Sequence, residues 1–232
     1  MRVLITRPKC DDNKFLKDLL EKEFGISIDI IEIAKIRPIY RNLKKAIDIL
    51  DNFDYVGWTS QNGVELFYQY LKKNKKEYYI DKIRDKGIIA IGPRTAEKIE
   101  VLFSVNKNII IPPKYESRFL EFLLDELGRK CLILRSSLAK PIRLPNVQEL
   151  HIYTLYPNRE IFGSSVNYDY VVLTSSFLTK IFFKFFKVFP NLGFIPIGPS
   201  TYDELVKHVD KSKIIDYPSS FTIKDALKKI LS

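Results

Sequence analysis

The sequence predicts an α/β protein with two similar halves, each built on a parallel sheet covered by helices. The run DYVGWTS at residues 54–60 returns as DYVVLTS at 169–175, and IGPRT at 91–95 returns as IGPST at 197–201. Short apolar strands alternate with helices between these repeats, which is typical of parallel sheets with both faces covered. The hydrophobic content of 46%, with 16 Phe and 13 Tyr, is enough for two packed cores.

The spacing of the repeats indicates a duplication. The second motif pair and a third, IIP at 110–112 against DYP at 216–218, are both 106 residues apart, from 198 − 92 and 218 − 112. The first pair is 115 residues apart, from 169 − 54, and we assign the difference to an insertion at the charged stretch 72–82. A shared opening motif, VLITR at 3–7 and CLILR at 131–135, starts each half.

Apolar periodicity and helix-ending glycines predict the elements of the first half. The helix over 12–24 ends before Gly25 and the helix over 117–127 ends before Gly128, since glycine readily forms the left-handed C-terminal cap. The full prediction is strands at 2–6, 27–34, 55–59, 88–91 and 108–111 and helices at 12–24, 41–50, 62–72, 95–103 and 117–127.

The second half repeats this plan with one shortened unit. After a strand at 131–134, Pro141 and Pro145 leave room for only a turn or a short helix over 136–146. An extended segment follows at 148–156, and strand and helix then alternate three times from 168 to 231. The extended segments before Pro38 and Pro157 are the natural domain crossings. Two routings stay open: each half is one domain, or the middle of the chain forms one domain and the two ends form the other.

Composition and charge narrow the classes of function. No apolar run reaches the roughly 20 residues of a membrane span, and the densest one, at 177–189, reads as an amphipathic helix. The chain enters a strand at Arg2 without a signal-peptide pattern, so we expect a cytoplasmic protein. Its two Cys and two His lack metal-ligand spacing. The net charge of +10 suits a polyanion, but no nucleic-acid-binding signature accompanies it, so we expect neither nucleic acid nor membrane as a partner.

Small polar residues follow several predicted strands, where the next helix begins. Backbone N–H groups and hydroxyls at such positions bind carboxylates or phosphates, although Ser, Thr and Asn are also common helix caps for structural reasons alone. Because strand ends in open α/β sheets face ligands, the two related sets predict a site shared by the two halves. The candidate substrate-binding residues of this kind are Ser60, Gln61, Asn62, Gly92, Thr95, Ser175, Ser176, Gly198, Thr201 and Ser219.

Three further side chains are candidates for chemistry. Arg7 and Arg135 follow equivalent strands, where a guanidinium can pair with a substrate carboxylate; the alternative is a solvated surface arginine. Tyr153 lies on a crossing segment, where a phenol can donate a proton; the alternative is an aromatic residue packed on a strand. No Walker or GxGxxG loop indicates a nucleotide cofactor, and no Ser–His–acid or Cys–His set can be assembled.

Taken in chain order, these motifs resemble the uroporphyrinogen-III synthase family. The resemblance rests on VLITRP at 3–8, DYVGWTSQN at 54–62, IGPRT at 91–95, Tyr153 before Pro157, and the second copies at 169–175 and 197–201. Each motif is short, and the ordered set along the whole chain carries the resemblance. Two departures stand out: Ser176-Phe177 follows the second Thr-Ser motif in place of Gln-Asn-Gly, and the unit after Arg135 is shortened.

The resemblance implies two flavodoxin-like parallel-sheet domains joined by a two-stranded β ladder, with residues 1–36 plus 154–232 in one and 37–153 in the other. It implies a hydro-lyase and cyclase that closes the linear tetrapyrrole hydroxymethylbilane to uroporphyrinogen III with inversion of the last pyrrole ring. It implies no metal or cofactor, and we expect a monomer. Tyr153 matches a cleft tyrosine that assists hydroxide departure, and the hydroxyls that match the cleft lining are those of Ser60, Thr95, Ser175 and Thr201.

Other classes of function make different predictions. A two-domain ligand-binding or regulatory protein would keep the fold without the reaction. A phosphoacceptor receiver domain needs acidic residues at strand ends, where Thr59 and Thr174 stand instead. A nucleic-acid-binding protein would present one continuous basic face and bind with a steep salt dependence. We expect the enzyme because both sets of strand-end motifs are intact.

Overall fold

The structure, a computed structural model, describes residues 1–105, 108–113, 117–161, 167–188 and 190–231, with the side chains of 117 and 118 left out. Within these ranges the chain is mixed α/β, and all strand pairings within the two units below are parallel. Its strands and α-helices are, in chain order, β1 (Arg2–Pro8), α1 (Asp12–Phe24), β2 (Ser27–Pro38), α2 (Tyr40–Ile49), β3 (Tyr55–Trp58), α3 (Gln61–Lys73), α4 (Tyr78–Arg84), β4 (Gly87–Ala90), α5 (Pro93–Phe103), α6 (Ser117–Leu127), β5 (Cys131–Ser136), β6 (Val147–Pro157), β7 (Tyr170–Leu173), α7 (Ser176–Phe185), β8 (Gly193–Pro196), α8 (Pro199–Leu205) and α9 (Ile223–Leu231).

The chain divides into two compact units. Unit 1 comprises Met1–Ile36 and Leu155–Ser232, and unit 2 comprises Arg37–Thr154. The chain therefore leaves unit 1 within β2 and returns to it within β6.

Unit 1 is built on the parallel strand order β2-β1-β7-β8. Alternate residues of β1 enter two different apolar clusters: Leu4 packs in one, and Val3 and Ile5 pack in the other. Phe182 of α7 belongs to the first cluster and Leu227 of α9 to the second. Both faces of these strands are thus covered, which explains their nearly continuous apolar sequence.

Unit 2 is built on the parallel strand order β4-β3-β5-β6. Ile89 and Ile133 pack with Leu120 and Leu124 of α6 in one apolar cluster. Trp58, at the end of β3, is buried and its ring lies 6.0 Å from that of Phe67 on α3, measured between centroids. The core of this unit therefore reaches up to the point where α3 begins.

The predicted alternation of strands and helices is confirmed, with three differences. The strand predicted at 108–111 is reduced to one bridge between Ile89 and Ile110, because the following prolines, Pro112 and Pro113, cannot donate to a ladder. The third strand of the second half is likewise a single bridge, between Phe194 and Ile214. The stretch 72–82, assigned to an insertion, contains part of a helix that the prediction missed, α4.

The remaining expectations concern helix ends and membranes. Helix α4 buries Ile80 and Ile83, which are three residues apart and so lie on one face. The amphipathic helix expected at 177–189 ends at Phe185 as part of α7, and residue 189 lies outside the described residues. Among the described helices, none is both long enough and apolar enough to cross a membrane.

Candidate functional site

The start of α3 in unit 2 is arranged by Ser60. Its backbone is extended, and its hydroxyl Oγ accepts a hydrogen bond from the Gly63 N–H at 3.1 Å, which caps the helix. The N–H groups of Gln61 and Asn62, the first two residues of α3, have no carbonyl one turn earlier in the helix. This end of α3 therefore combines a half-buried hydroxyl with backbone donors and the positive end of a helix dipole.

Tyr153 joins the same place through its phenol. The oxygens Ser60 Oγ and Tyr153 Oη are 2.7 Å apart, although the residues are 93 positions apart in the chain. Tyr153 lies on β6 opposite Ser136 of β5, and its carbonyl accepts from the Ser137 N–H at 2.9 Å. Tyr153 is only 4% exposed, so β5, β6 and α3 together hold its phenol in one position.

The surroundings of Tyr153 favour its protonated form. Burial raises the pKa of the phenol and is the largest cause. The hydrogen bond with Ser60, the positive charge of Arg135 and the Ser136 hydroxyl each lower that pKa, but the net direction is upward. The phenol thus carries its proton at neutral pH and is able to donate it.

Arg135 is buried in unit 2 instead of standing free on the surface. It is 2% exposed, and its Nη1 donates to Glu149 Oε2 at 2.8 Å. The other carboxylate oxygen of Glu149 accepts from the Ile142 N–H at 2.7 Å. Arg135 Nε has no partner among the described residues. The guanidinium therefore already pairs with a carboxylate of the protein, and its positive charge is what it offers to Tyr153.

The second helix start of unit 2 belongs to α5. Gly92 precedes it in an extended conformation, and its carbonyl accepts from the N–H groups of Thr95 and Ala96 at 3.0 and 3.1 Å. Pro93 occupies the first helical position, where its missing N–H costs nothing. Gly92 and Thr95 are buried, whereas Pro93 and Arg94 between them are exposed.

Unit 1 places Arg7 in a polar cluster at the end of β1. Arg7 Nε donates to Asn13 Oδ1 at 2.7 Å, and Asn13 Nδ2 donates to Glu32 Oε1 at 2.8 Å. The Cys10 thiol also donates to Asn13 Oδ1, at 3.1 Å. Asn13 is buried and ties β1, β2 and α1 together. Sequence reasoning missed Asn13 and Glu32 because no motif or spacing links them to Arg7.

The other predicted residues of unit 1 lie at three separate helix starts. Ser175 caps α7 by accepting from the Leu178 N–H at 3.3 Å, and Ser176 is the first helical residue. Gly198 precedes α8 as Gly92 precedes α5, and Thr201 is buried like Thr95. Ser219 is exposed in the turn before α9.

The structure therefore brings Ser60 and Tyr153 into direct contact, leaves Arg7 and Arg135 at the ends of β1 and β5, and distributes the other candidates among helix starts. It adds Gly63, Ser136 and Glu149, which the sequence reasoning did not single out. The repeated opening motif gave no signal for Ser136, because the equivalent residue of the first copy is Pro8. Within the described part of the chain, no group of three or more His, Cys, Asp and Glu side chains is placed to hold a metal ion.

The fold and these strand ends define a class of α/β protein with two parallel-sheet units, each presenting small polar residues and helix N-termini. Comparison with known proteins identifies the family. The family model described as "Uroporphyrinogen-III synthase HemD" matches residues 15–227. The chain belongs to the uroporphyrinogen-III synthase family, which confirms the resemblance seen in the sequence.

Individual relatives agree with this assignment. A protein of Methanocaldococcus jannaschii named "Putative uroporphyrinogen-III synthase" is 27% identical over 252 residues, covering 99% of this chain and 98% of its own length. The uroporphyrinogen-III synthetase of Helicobacter pylori 26695 has a similar fold, with a TM-score of 0.63 at 14% identity and coverage of 100% and 99% of the two chains. A mutant uroporphyrinogen III synthase of Thermus thermophilus gives a TM-score of 0.56 at 16% identity, with 100% and 97% covered. The family match supports uroporphyrinogen-III synthase function, a step of tetrapyrrole and heme biosynthesis.

Proposed function

We propose that this chain cyclises hydroxymethylbilane to uroporphyrinogen III with inversion of the last pyrrole ring, acting as a hydro-lyase and cyclase. The observation that carries the proposal is the hydrogen-bonded pair of Ser60 and Tyr153 in a chain of this family. A protonated phenol with a fixed position is the group needed to help a hydroxyl leave as water. We also propose that units 1 and 2 act as two domains, with residues 1–36 plus 154–232 in one and 37–153 in the other.

The reaction would proceed in three stages. The hydroxymethyl group of the first ring loses its oxygen as water, the electron pair of the broken C–O bond leaving with the oxygen, and the ring becomes an azafulvene as its N–H proton departs. The last ring then attacks through its substituted carbon to form a spiro intermediate. That intermediate reopens and recloses with the ring inverted. The protein contributes a proton at the first stage and holds the chain of rings in place throughout.

The carboxylates of the substrate fit the helix starts of both units. Every pyrrole ring carries acetate and propionate arms, and backbone N–H groups at helix starts bind such anions. We assign this role to the backbone at Gln61, Asn62 and Ser176, and to the exposed turns that follow the buried Gly92 and Gly198. Thr95 and Thr201 are buried and would support those turns, while Ser175 and the exposed Ser219 can offer hydroxyls.

The two arginines would act by their charge. Arg7 donates to Asn13 and Arg135 donates to Glu149, so each guanidinium is already held in place by a protein side chain. The positive charge of Arg135 instead supports Tyr153 when the phenol loses its proton. We further propose that the enzyme is a cytoplasmic monomer that uses no metal or cofactor.

The test is conversion of hydroxymethylbilane by the purified protein, followed by oxidation and separation of the type I and type III products. The type III product should dominate, and Tyr153→Phe should lower its rate about 10-fold to 10²-fold, near the low end for a positioned acid because water can replace the phenol. The wild-type rate should stay flat with rising pH through the ordinary tyrosine range, because the raised pKa of Tyr153 keeps the donor protonated. If only the type I product forms while uroporphyrinogen III still binds, the chain is a binding protein that keeps the fold without the reaction.

A further inference from the structure

We propose that Ser60 delivers the proton to the departing hydroxyl and that Tyr153 acts only through Ser60, as the residue that positions and resupplies that proton. The inference rests on the proposed function and assigns the final donor within it. It changes the role of the serine from a helix cap and anion contact to the catalytic residue. It changes the role of the tyrosine to a positioning residue behind it.

The first argument is the number of hydrogen bonds that one hydroxyl can make. A serine oxygen has one proton to donate and two lone pairs to accept with. One lone pair of Ser60 Oγ is occupied by the Gly63 N–H at 3.1 Å, because Ser60 caps α3. If the second lone pair accepts a hydrogen bond from Tyr153 Oη, which lies 2.7 Å away, the Ser60 proton remains free to donate to a ligand.

The second argument is the direction of the bond between the two oxygens. A phenol is far more acidic than an aliphatic alcohol, and its oxygen is the poorer acceptor since its lone pairs are shared with the ring. A phenol in contact with serine hydroxyls therefore donates its one proton, and we assign that proton to Ser60, at 2.7 Å, with the Ser136 hydroxyl donating to the phenol oxygen. Among the described residues, no further partner of Ser60 Oγ lies within hydrogen-bonding distance, so the Ser60 proton is directed away from the protein.

The third argument is access. Tyr153 is 4% exposed and packs under the first turn of α3, where its Cε1 lies 3.5 Å from the position that a β-carbon on Gly63 would take. Ser60 is half-buried and stands at the entrance of the same turn, beside the free N–H groups of Gln61 and Asn62. A substrate bound at this helix start would meet the serine hydroxyl first.

The proton balance of the step is complete without any other reagent. The Ser60 proton passes to the leaving oxygen as the C–O bond breaks, and water departs with the electron pair of that bond. Ser60 Oγ takes the Tyr153 proton, and the resulting phenolate lies near the positive charge of Arg135. The pyrrole N–H releases one proton as the azafulvene forms, and return of a proton to Tyr153 restores the protein.

The first experiment separates the hydroxyl from the helix cap. Glycine caps a helix nearly as well as serine, so Ser60→Gly removes the proton donor with little loss of the cap. We expect kcat for the type III product to fall roughly 10-fold or more in Ser60→Gly with KM little changed. Ser60→Thr, which keeps a hydroxyl and a cap, should recover most of kcat. A Ser60→Gly variant with wild-type kcat, folded by circular dichroism, would overturn the proposal.

The second experiment tests whether the tyrosine acts through the serine. The Ser60→Gly/Tyr153→Phe double variant should be no slower than Ser60→Gly alone, because the phenol has nothing to resupply once the serine hydroxyl is gone. Losses that multiply in the double variant would show that Tyr153 reaches the substrate by itself. That result would remove the relay and leave the proposed function standing.

The third experiment tests the other hydroxyl that contacts the phenol, that of Ser136. Ser136 faces Tyr153 across the β5–β6 pair, but its own oxygen accepts from the Leu138 N–H at 3.2 Å. Ser136→Ala should lower kcat less than Ser60→Gly does, because Ser60 and not Ser136 hands the proton to the substrate. A loss in Ser136→Ala equal to that of Tyr153→Phe, with Ser60→Gly unaffected, would assign the proton path to Ser136 instead. Absence of type III product from the wild-type protein would instead refute the proposed function itself.

Discussion

The two units share one plan, down to the irregularity in their strand pairing. In unit 1 the register shifts at the end of β1, where Pro8 pairs with Ala34. In unit 2 it shifts at the equivalent end of β5, where Ser136 pairs with Tyr153. One structural position therefore holds a buried alanine in one unit and a buried phenol in the other.

The helix starts show the same contrast. Ser60 and Ser175 cap α3 and α7 with similar bonds, of 3.1 and 3.3 Å, but only Ser60 also contacts a tyrosine among the described residues. The units differ in charge as well: unit 2 has 21 basic and 14 acidic residues, a net +7, and unit 1 has 17 and 14, a net +3. Both units thus have serine-capped helix starts, whereas a contact between the capping serine and a buried phenol is found only in unit 2 among the described residues.

The largest expected loss of unfolding free energy distinguishes Arg135 of unit 2 from Arg7 of unit 1. Arg135→Met leaves the Glu149 carboxylate without its buried partner, and we expect about 3 kcal/mol of unfolding free energy to be lost. Arg7→Met should cost only about 1 kcal/mol, because its partner Asn13 is neutral. Urea denaturation measures both, and Arg135→Met/Glu149→Leu should regain much of the loss. Equal losses for the two single variants would remove the distinction between the units.

A smaller loss of unfolding free energy is expected when the capping serines Ser60 and Ser175 are replaced. Ser175→Ala should cost about 1 kcal/mol, as loss of a helix cap does. Ser60→Ala should cost about 2 kcal/mol, because it also removes one of the two hydroxyls that contact the buried Tyr153 phenol. Adding Tyr153→Phe to Ser60→Ala should restore part of the difference in thermal or urea denaturation. A double variant less stable than either single one would show that the contact of the phenol with Ser136 carries this stability instead.

The stability of unit 1 in acid gives a third prediction, which compares a variant at Asp225 with the wild type. The hydrogen bond from Lys228, followed by those from Ser220 and Thr222, lowers the pKa of Asp225 to about 2, which is below its ordinary unfolded value. The resulting stability is present above about pH 4 and is lost as the pH falls through about 2. Because the Asp225 side chain is 34% exposed, we expect Asp225→Asn to cost no more than about 1 kcal/mol at neutral pH. The gap between the variant and the wild type should close in acid, and a gap that persists at low pH would contradict this assignment.

The smallest effect concerns the salt dependence of ligand binding. The affinity for uroporphyrinogen III should fall a few-fold as the salt concentration rises from ~0.1 M to ~1 M, since exposed charges and carboxylates are screened. Isothermal titration at both salt concentrations measures this, with a neutral porphyrin ester as the control ligand. An affinity independent of salt would mean that the helix starts of neither unit bind carboxylates.

Most strands, helices and helix starts of this protein are determined by local sequence. Apolar periodicity predicts most of the strands and helices, and the ordered repeats predict both the family and the helix starts, because caps and turns depend on residues only a few positions apart. The predicted strand at 108–111 was wrong because of prolines. The segment around Ile110 is apolar enough for a strand, but Pro112 and Pro113 follow it and it forms only a single bridge. Helix α4 was missed because it lies in a stretch dominated by charge.

The tertiary structure alone decided which of the candidates meet. Ser60 and Tyr153 are 93 residues apart, and they touch only because β3, β5 and β6 are neighbours in register and a shift after Arg135 brings Tyr153 opposite Ser136. The burial of Arg135 against Glu149 depends on the same strand pairing. Such contacts depend on how distant segments pair, so no short stretch of sequence contains them, and it is these contacts that distinguish unit 2 from the otherwise similar unit 1.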